Sequence, residues 1–226
     1  MTEIERRARE VRARVDAAAL AAGRDPASVT VVAATKTRTP EEIGQALACV
    51  DACGENRVQE FRDKTAAGAY GDRPVHFIGR LQTNKVKYLM GKCALIHSVD
   101  SLHLAVAVSE AAVRAGVVQD VLLEINFSGE ESKGGVAPGE AEALLTACAG
   151  LPGIRVRGIM TVPPRGTPEE ADRWFAVAEE QFHAWRGPWH LDVLSMGMSG
   201  DFEAAIARGA TIVRPGSAIF GPRNYQ

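Results

Sequence analysis

The sequence predicts a (β/α)8 barrel of the TIM type with an extra N-terminal helix, formed as one domain over residues 1–226. Short apolar, β-branched segments alternate with helical patterns along the chain, which is typical of parallel strands joined by helices. About eight such strands can be counted. Unusual polar and glycine-rich segments follow many different strands, as they do at the carboxyl-terminal face of a barrel. An open doubly wound sheet is the competing fold, and it explains this distribution less well.

The elements follow in a regular order. An amphipathic helix is predicted from Ile4 to Ala22, then a strand over Val29–Thr35, and then a helix that opens with Pro40. The other strands are predicted at Val50–Gly54, Val75–Gly79, Ala94–Val99, Val121–Phe127, Ile154–Met160, Leu191–Ser195 and Thr211–Val213. The other helices are predicted at Val58–Ala67, Thr83–Met90, Leu102–Ala115, Pro138–Ala149, Pro168–Trp185 and Phe202–Arg208. No linker or composition shift divides the chain.

Composition narrows the classes of function. The chain is 46% hydrophobic, with a net charge of −2 and a pI near 6.2, so nothing global points to nucleic acid or an anionic membrane. No apolar run is long enough for a membrane span or a signal peptide. Four scattered cysteines are typical of reduced thiols, and the five histidines show no metal-binding spacing. We therefore expect a cytoplasmic protein without a metal site.

Lys36 is the most informative residue. It ends the first predicted strand, before the turn that contains Pro40. An ammonium group at the end of a covered strand is expensive to desolvate, which favours the nucleophilic free amine. Lys36 is thus a candidate for Schiff-base chemistry with a carbonyl compound, although many lysines at strand ends simply extend into solvent.

Two turns near the C-terminus predict a phosphate pocket. Leu191–Asp201 is a strand that runs into a Gly-Ser-rich turn, where Ser199 is predicted to cap the following helix. Thr211–Gly221 is a strand broken by Arg214, Pro215, Gly216 and Ser217, where consecutive backbone groups can face an anion. Each turn alone is weak evidence for a phosphate site, but together with Lys36 the two turns indicate a ligand that carries an aldehyde and a phosphate.

Three other segments are predicted to form the pocket wall because they follow strands. They are Gly54–Asn56, Gly79–Lys85 and Asn126–Gly135. For Glu55, Gln82 and Asn84, helix capping and rim hydrogen bonds are as plausible as ligand contacts. We expect Lys85 and Lys87 on a solvated helix face and Met196 and Met198 in packing at the barrel mouth.

Several motifs resemble those of the pyridoxal-phosphate homeostasis proteins, in order from about Val31 to the C-terminus. They are Thr35–Thr37, Gly54–Glu60, His76–Gly79, Leu81–Lys85, Ser128–Gly134, Ser195–Asp201 and Val213–Gly221. That family is similar to the barrel domain of alanine racemase, standing without the racemase's second domain. The resemblance implies a protein that binds pyridoxal 5′-phosphate (PLP), keeps the free cofactor in balance, and has no established reaction.

The resemblance assigns roles to six residues. It makes Lys36 the lysine that holds PLP covalently as an internal aldimine. It places Ser199, Gly216 and Ser217 around the phosphate and Asn56 at the ring face. Arg214 would lie against the ring nitrogen or partly against the phosphate. The chain departs from the family at Arg57, where an aromatic residue is common, and at Pro215, which is closer to alanine racemase.

The sequence favours a non-catalytic, monomeric PLP carrier that could deliver PLP to recipient apo-enzymes. A two-base racemase needs a second acid or base, and the tyrosines available are Tyr70, Tyr88 and Tyr225. A small amino-acid racemase is the main alternative, and a phosphosugar enzyme with an aldolase-type lysine is a weaker one. Lys133, in the glycine-rich loop, could accept the aldehyde as it leaves Lys36, or it could pair with Glu130 and Glu131 on the surface.

Overall fold

Eight parallel strands close into a barrel in the order β1 to β8, each bonded to the next and β8 to β1. The computed structural model describes residues 1–130 and 132–222. The strands are β1 (Thr30–Ala34), β2 (Ala52–Glu55), β3 (Val75–Phe77), β4 (Leu95–Val99), β5 (Gln119–Glu124), β6 (Ile154–Met160), β7 (Val193–Ser195) and β8 (Ile212–Val213). The predicted barrel is confirmed, and the open sheet is wrong.

Helices surround this barrel. They are α1 (Glu3–Ala21), α2 (Pro40–Ala46), α3 (Val58–Ala66), α4 (Leu102–Arg114), α5 (Pro138–Ala149), α6 (Pro168–Arg186), α7 (Phe202–Ala207) and α8 (Ser217–Phe220). Capping boxes at Thr39 and Thr167 open α2 and α6. The side chain of each threonine accepts the backbone N–H of the glutamate three residues later, and the carboxylate of that glutamate accepts the backbone N–H of the threonine. No helix in the described part of the chain is long and apolar enough to cross a membrane.

Some element boundaries differ from those predicted. The segment Thr83–Met90 forms a 3-10 helix over Thr83–Tyr88 rather than an α-helix. The fifth strand starts two residues earlier than expected and ends at Glu124, with an irregular register against β6. These short segments carry little periodicity, so tertiary pairing decides where they begin and end.

The strand alternation separates two cores. Val32 on β1 and Ala52 on β2 point into the barrel, where they join a small cluster completed by Leu95, Leu122, Met160, Val193 and Ile212. The residues between them, such as Val31 and Ala33, pack outward beneath the helices in a much larger cluster. Because successive side chains face opposite sides of a strand, the inward series of β1 continues through Ala34 to Lys36.

Helix α1 completes the outer layer. Helix α8 has only four residues, and α1 packs against α7, α8 and α2. Its buried stripe comprises Ala8, Val11, Val15 and Ala19. Arg12 ties it to the barrel, since its guanidinium lies 2.6 Å from a carboxylate oxygen of Asp51 that also accepts the Val31 N–H. The predicted extra helix therefore covers barrel surface that a longer α8 would otherwise cover.

Candidate cofactor site

One cavity of about 490 Å³ opens at the carboxyl ends of the strands. All six residues predicted to bind the cofactor line it: Lys36, Asn56, Ser199, Arg214, Gly216 and Ser217. They come from the ends of β1, β2, β7 and β8, which closure of the barrel brings together. That they share a cavity is a structural fact, and their roles toward a cofactor remain predictions.

Lys36 lies in a constrained turn. It is half-buried, and Thr37 after it has φ 63°, a left-handed backbone that β-branched residues rarely adopt. The Thr37 N–H donates to Glu60 Oε2 at 2.6 Å. That bond and the Lys64 ammonium hold the pKa of Glu60 below its usual value, although burial acts to raise it. The turn that aims Lys36 is therefore anchored to α3.

A buried polar cluster lies behind this turn, on the outer side of the barrel wall. Glu55 is fully buried, and its Oε1 accepts hydrogen bonds from Thr35 at 2.6 Å, Lys64 at 2.7 Å and Tyr70 at 3.1 Å. The Lys64 ammonium also donates to the Thr35 carbonyl at 2.8 Å and to Glu60 at 3.1 Å. Glu55 therefore neither caps a helix nor lines the pocket; it braces the chain on both sides of Lys36.

Arg214 reaches the cavity from the end of β8 and is almost completely buried. Its guanidinium donates to Ser195 Oγ at 2.6 Å and to the Thr161 carbonyl at 3.1 Å. Burial lowers its pKa to about 10, against the attraction of Glu124 and Asp201. A guanidinium with that pKa still carries its charge at neutral pH, so Arg214 is a fixed cation in the cavity.

Two histidines inside the barrel extend the Arg214 contacts. Ser195 Oγ lies 3.0 Å from His97 Nδ1, and His97 Nε2 lies 3.0 Å from His76 Nδ1. Burial lowers the pKa of His76 to about 4 and that of His97 well below its usual value. Both rings are therefore neutral near pH 7. Because Arg214 donates to Ser195 Oγ, the Ser195 hydroxyl can donate its own proton to His97 Nδ1. The hydrogen bonds then run in one direction, from Arg214 through Ser195 to His97.

The predicted anion pocket has two backbone donors that converge. The N–H groups of Gly216 and Ala218 both donate to Ser199 Oγ, at 2.9 and 3.1 Å. The prediction that Ser199 caps α7 is wrong, because the N-cap is Asp201, whose carboxylate instead accepts the Met198 N–H. The two turns meet through Ser199, since the barrel places the end of β7 beside the end of β8.

Asn56 has a buried polar atom that the described part of the chain leaves without a hydrogen-bond partner. Among the described residues no group hydrogen-bonds its buried Oδ1. Gly79 permits the close approach of this segment, because a Cβ at position 79 would lie 2.2 Å from the Asn56 carbonyl oxygen. An amine, a buried cation and a hydroxyl-bearing turn in one cavity match a ligand with an aldehyde and a phosphate. The residues therefore fit pyridoxal phosphate.

Sequence reasoning overlooked part of the lining and assigned other segments wrongly. Ile78, Val162, Arg38 and Asp201 line the cavity, and the first two continue the inward alternation of β3 and β6, which could have revealed them. No described residue of Asn126–Gly135 lines it. Of the two methionines, Met196 packs in the core as expected, whereas Met198 is exposed at the cavity.

Lys133 is anchored at the surface. Its ammonium donates to the Val162 carbonyl at 3.3 Å and lies 3.4 Å from a Glu130 carboxylate oxygen. The pairing with Glu130 is thus present, while Glu131 lies outside the described residues. Lys133 is not a lining residue of the cavity, although Val162, whose carbonyl it binds, is one.

Comparison with known proteins places this barrel in a family. A model of the alanine racemase N-terminal domain family matches residues 8–224. Alanine racemase from Corynebacterium glutamicum has the same fold, with a TM-score of 0.69 at 20% identity, and this chain covers 92% of its own length but 59% of the racemase. The fold and the cavity define a protein of the alanine racemase N-terminal domain class.

More similar proteins narrow the class. The pyridoxal phosphate homeostasis protein of Aquifex aeolicus is 45% identical over 94% of this chain and 95% of that protein. The structure of PipY from Synechococcus elongatus with PLP bound has a TM-score of 0.80 at 31% identity, covering 93% of this chain and all of that one. The chain belongs to the pyridoxal phosphate homeostasis protein family.

Proposed function

We propose that this protein binds pyridoxal 5′-phosphate, holds it covalently on Lys36 and takes part in keeping the free cofactor in balance. The observation that carries the proposal is the meeting of the Lys36 amine, the buried Arg214 guanidinium and the turn at Ser199 and Gly216 in one cavity. The family's name and the PLP bound to PipY support it.

Lys36 supplies the covalent step. Its amine would add to the aldehyde carbon of the cofactor, a C=N bond would form, and the carbonyl oxygen would leave as water. When bound, pyridoxal phosphate supplies a reactive aldehyde and an electron-accepting ring. The Glu60 and Lys64 contacts keep the turn around Lys36 in one conformation, so the amine is positioned before the cofactor enters.

Arg214 supplies a positive charge to the site, and Ser199 belongs to the turn that would hold the phosphate. The N–H groups of Gly216 and Ala218, with the hydroxyls of Ser199 and Ser217, form the phosphate-binding turn. Arg214 cannot give up its proton, so opposite the ring nitrogen it leaves that nitrogen unprotonated and the ring a weaker electron acceptor. That property suits a holder of the aldehyde. It suits racemisation as well, so Arg214 does not distinguish a carrier from a racemase.

The lack of a tyrosine in the cavity lining, among the described residues, favours a carrier over a racemase, and the Asp201 carboxylate that does line the cavity accepts the Met198 N–H. Tyr70 is buried against Glu55, and Tyr88 lies outside the cavity; Tyr225 lies outside the described residues. Within the described ranges, no tyrosine lines the cavity opposite Lys36. We infer a non-catalytic, monomeric, cytoplasmic protein that passes PLP to recipient apo-enzymes.

Borohydride reduction followed by peptide mass analysis tests the covalent assignment. We expect a pyridoxyl group on Lys36, none in Lys36→Ala, and normal labelling in Lys92→Ala, where the lysine is exposed and remote. Both variants should fold, since Lys36 lies at the barrel mouth. A pyridoxyl group found mainly on another lysine overturns the assignment.

The same preparations separate the rival functions. A visible absorption band in the purified protein rules out a phosphosugar aldolase. Turnover of an alanine or serine enantiomer that disappears in Lys36→Ala would establish the racemase instead of the carrier.

A further inference from the structure

A second groove, of about 230 Å³, opens beside the cofactor cavity and has a basic lining. Its lining residues are Asn56, Arg57, Val58, Gln59, Arg62, Arg80, Gln82, Lys85 and Tyr88. Four of them are cationic and none is acidic. We call this feature the basic groove. Asn56 lines both the groove and the cavity, so the two adjoin each other.

The carboxylates of the adjoining helix α3 are engaged elsewhere. Glu60 accepts bonds from the Thr37 N–H and from Lys64, and Asp63 accepts one from the Gln59 amide at 2.8 Å. Within residues 1–130 and 132–222, none of the four groove cations forms an ion pair. The four cations around one small concavity repel each other, since Arg57 and Arg80 interact with Glu60 and Glu124 only from beyond ion-pair distance, and an anion bound there would relieve that repulsion.

Part of the lining is held in place before any ligand arrives. The Arg62 guanidinium lies 4.3 Å from the centre of the Tyr88 ring, and the Lys87 ammonium lies 5.2 Å from it. Such cation–π contacts limit the conformations of a long side chain. Gln82 and Asn56 add amide groups, so the groove offers neutral hydrogen-bonding partners as well as charge.

We propose that the basic groove is a second, non-covalent binding site for a phosphate monoester, at which pyridoxal phosphate docks on its way to and from Lys36. Arginine suits this ligand because its planar fork matches two phosphate oxygens at once. The shared Asn56 gives the ligand a short path between the sites. The proposal rests on the proposed function for the identity of the ligand, but not for the binding of phosphate itself.

The dimensions of the groove favour a small ligand over an acidic protein surface. A concavity of about 230 Å³ accommodates the phosphate group of pyridoxal phosphate and part of the pyridine ring. A stable protein partner would need a contact of roughly 800 Å² on each side, far more than the groove provides.

The test uses protein in which the first site has been blocked by borohydride reduction of the PLP adduct. Pyridoxine 5′-phosphate, which lacks the aldehyde, is titrated by calorimetry. We expect one further equivalent to bind, to compete with inorganic phosphate and to weaken as salt is raised. Pyridoxine without phosphate should not bind. The double variant Arg57→Gln/Arg80→Gln should bind at least tenfold more weakly.

The matched control is Arg165→Gln/Arg173→Gln, which removes two exposed arginines that do not line the basic groove. It should bind as wild type does, and thermal unfolding should show that both double variants fold. No further equivalent in wild type, or equal affinity in all three proteins, overturns the proposal. The proposal would also be overturned if Arg57→Gln/Arg80→Gln bound phosphate as wild type does but transferred PLP to an apo-enzyme more slowly. That result would favour an acidic protein partner.

Failure of the proposed function gives a different result. If reduction leaves no pyridoxyl group on Lys36, the covalent assignment is wrong. The same titration of untreated protein then tests phosphate binding at the basic groove independently of Lys36. Phosphate should still bind more weakly to Arg57→Gln/Arg80→Gln than to the control. Equal binding there would overturn the groove as well.

Discussion

Residues that never touch the cavity determine the position of the reactive amine. Glu55 and Lys64 lie behind the barrel wall and bind the backbone and side chain of Thr35, while Glu60 binds the backbone of Thr37. The residues before and after Lys36 are thereby attached to α3. This arrangement costs desolvation of two charges, which their mutual hydrogen bonds offset.

Removing one partner of this buried pair should destabilise the protein. Lys64→Met leaves the Glu55 carboxylate buried without its cation, and we expect a loss of about 3–5 kcal/mol in the free energy of unfolding. Chemical denaturation measures it, with Lys92→Met, an exposed position, as the control. A loss below about 1 kcal/mol would show that the pair is not structurally important.

The phosphate turn predicts a separate effect on affinity. Ser199→Ala removes the hydroxyl on which two backbone N–H groups converge, and Ser217→Ala removes the one at the start of α8. Each should weaken cofactor retention by roughly ten- to a hundredfold without preventing attachment to Lys36, the usual effect of one lost bond to a charged group. Equilibrium dialysis measures this, with exposed Ser132→Ala as control. Unchanged affinity in both variants would place the phosphate elsewhere.

At the scale of elements, β5 ends in a carboxyl group enclosed by its own loop. Glu124 lies under the chain at Gly134, where a Cβ would be 3.1 Å from Glu124 Oε1. Burial, and next the negative charge of Asp100, raise the pKa of Glu124 to about 7 from 4.5, against the attraction of Arg214 and Arg80. The loop after β5 therefore covers a group that resists ionisation.

This carboxyl group predicts a pH dependence of stability. The unfolded chain releases the Glu124 proton near pH 4.5 and the folded protein near 7, so stability falls as pH rises between these values. At about 1.4 kcal/mol per unit, the shift from 4.5 to about 7 amounts to roughly 3–4 kcal/mol. Glu124→Gln should therefore be more stable than wild type at pH 8, with the difference vanishing below pH ~4.5. Denaturation across this range tests it, with exposed Glu180→Gln as control; a constant difference at all pH values would contradict it.

At the scale of the whole molecule, the barrel depends on a helix that precedes its first strand. Helix α1 packs where the one-turn α8 leaves the barrel uncovered, and Arg24, which follows α1, donates to the carbonyl of Ile206 in α7 at 3.0 Å. The first residues of the chain thus join its last elements. The outer layer is closed by the two ends of the sequence together.

The contribution of α1 can be measured with two substitutions on the same helix. Val15 is fully buried, whereas Ala17 is exposed. Val15→Asp should cost about 4 kcal/mol or more, because it buries an unpaired charge, and Ala17→Asp should change stability by less than about 0.5 kcal/mol. If both variants unfold at the same denaturant concentration, α1 does not contribute to the core.

The sequence by itself determined much of this protein. The alternation of apolar strands and helices predicted the barrel, and the confirmed N-terminal helix followed from periodicity. The position of Lys36 at a strand end, with glycine-rich turns after β7 and β8, predicted a cavity that collects all six expected residues. Such features are local, since a strand's alternation and a turn's chemistry are written in neighbouring residues.

Only the tertiary structure decided the contacts that join distant segments. Glu55 could have been a cap or a ligand until α3 brought Lys64 against it, and Ser199 became the acceptor for Gly216 rather than a cap when β7 and β8 came together. The basic groove likewise forms from α3 and the segment after β3. The physical reason is that barrel closure sets which strand ends and helices are neighbours, and no local pattern encodes the distances between them.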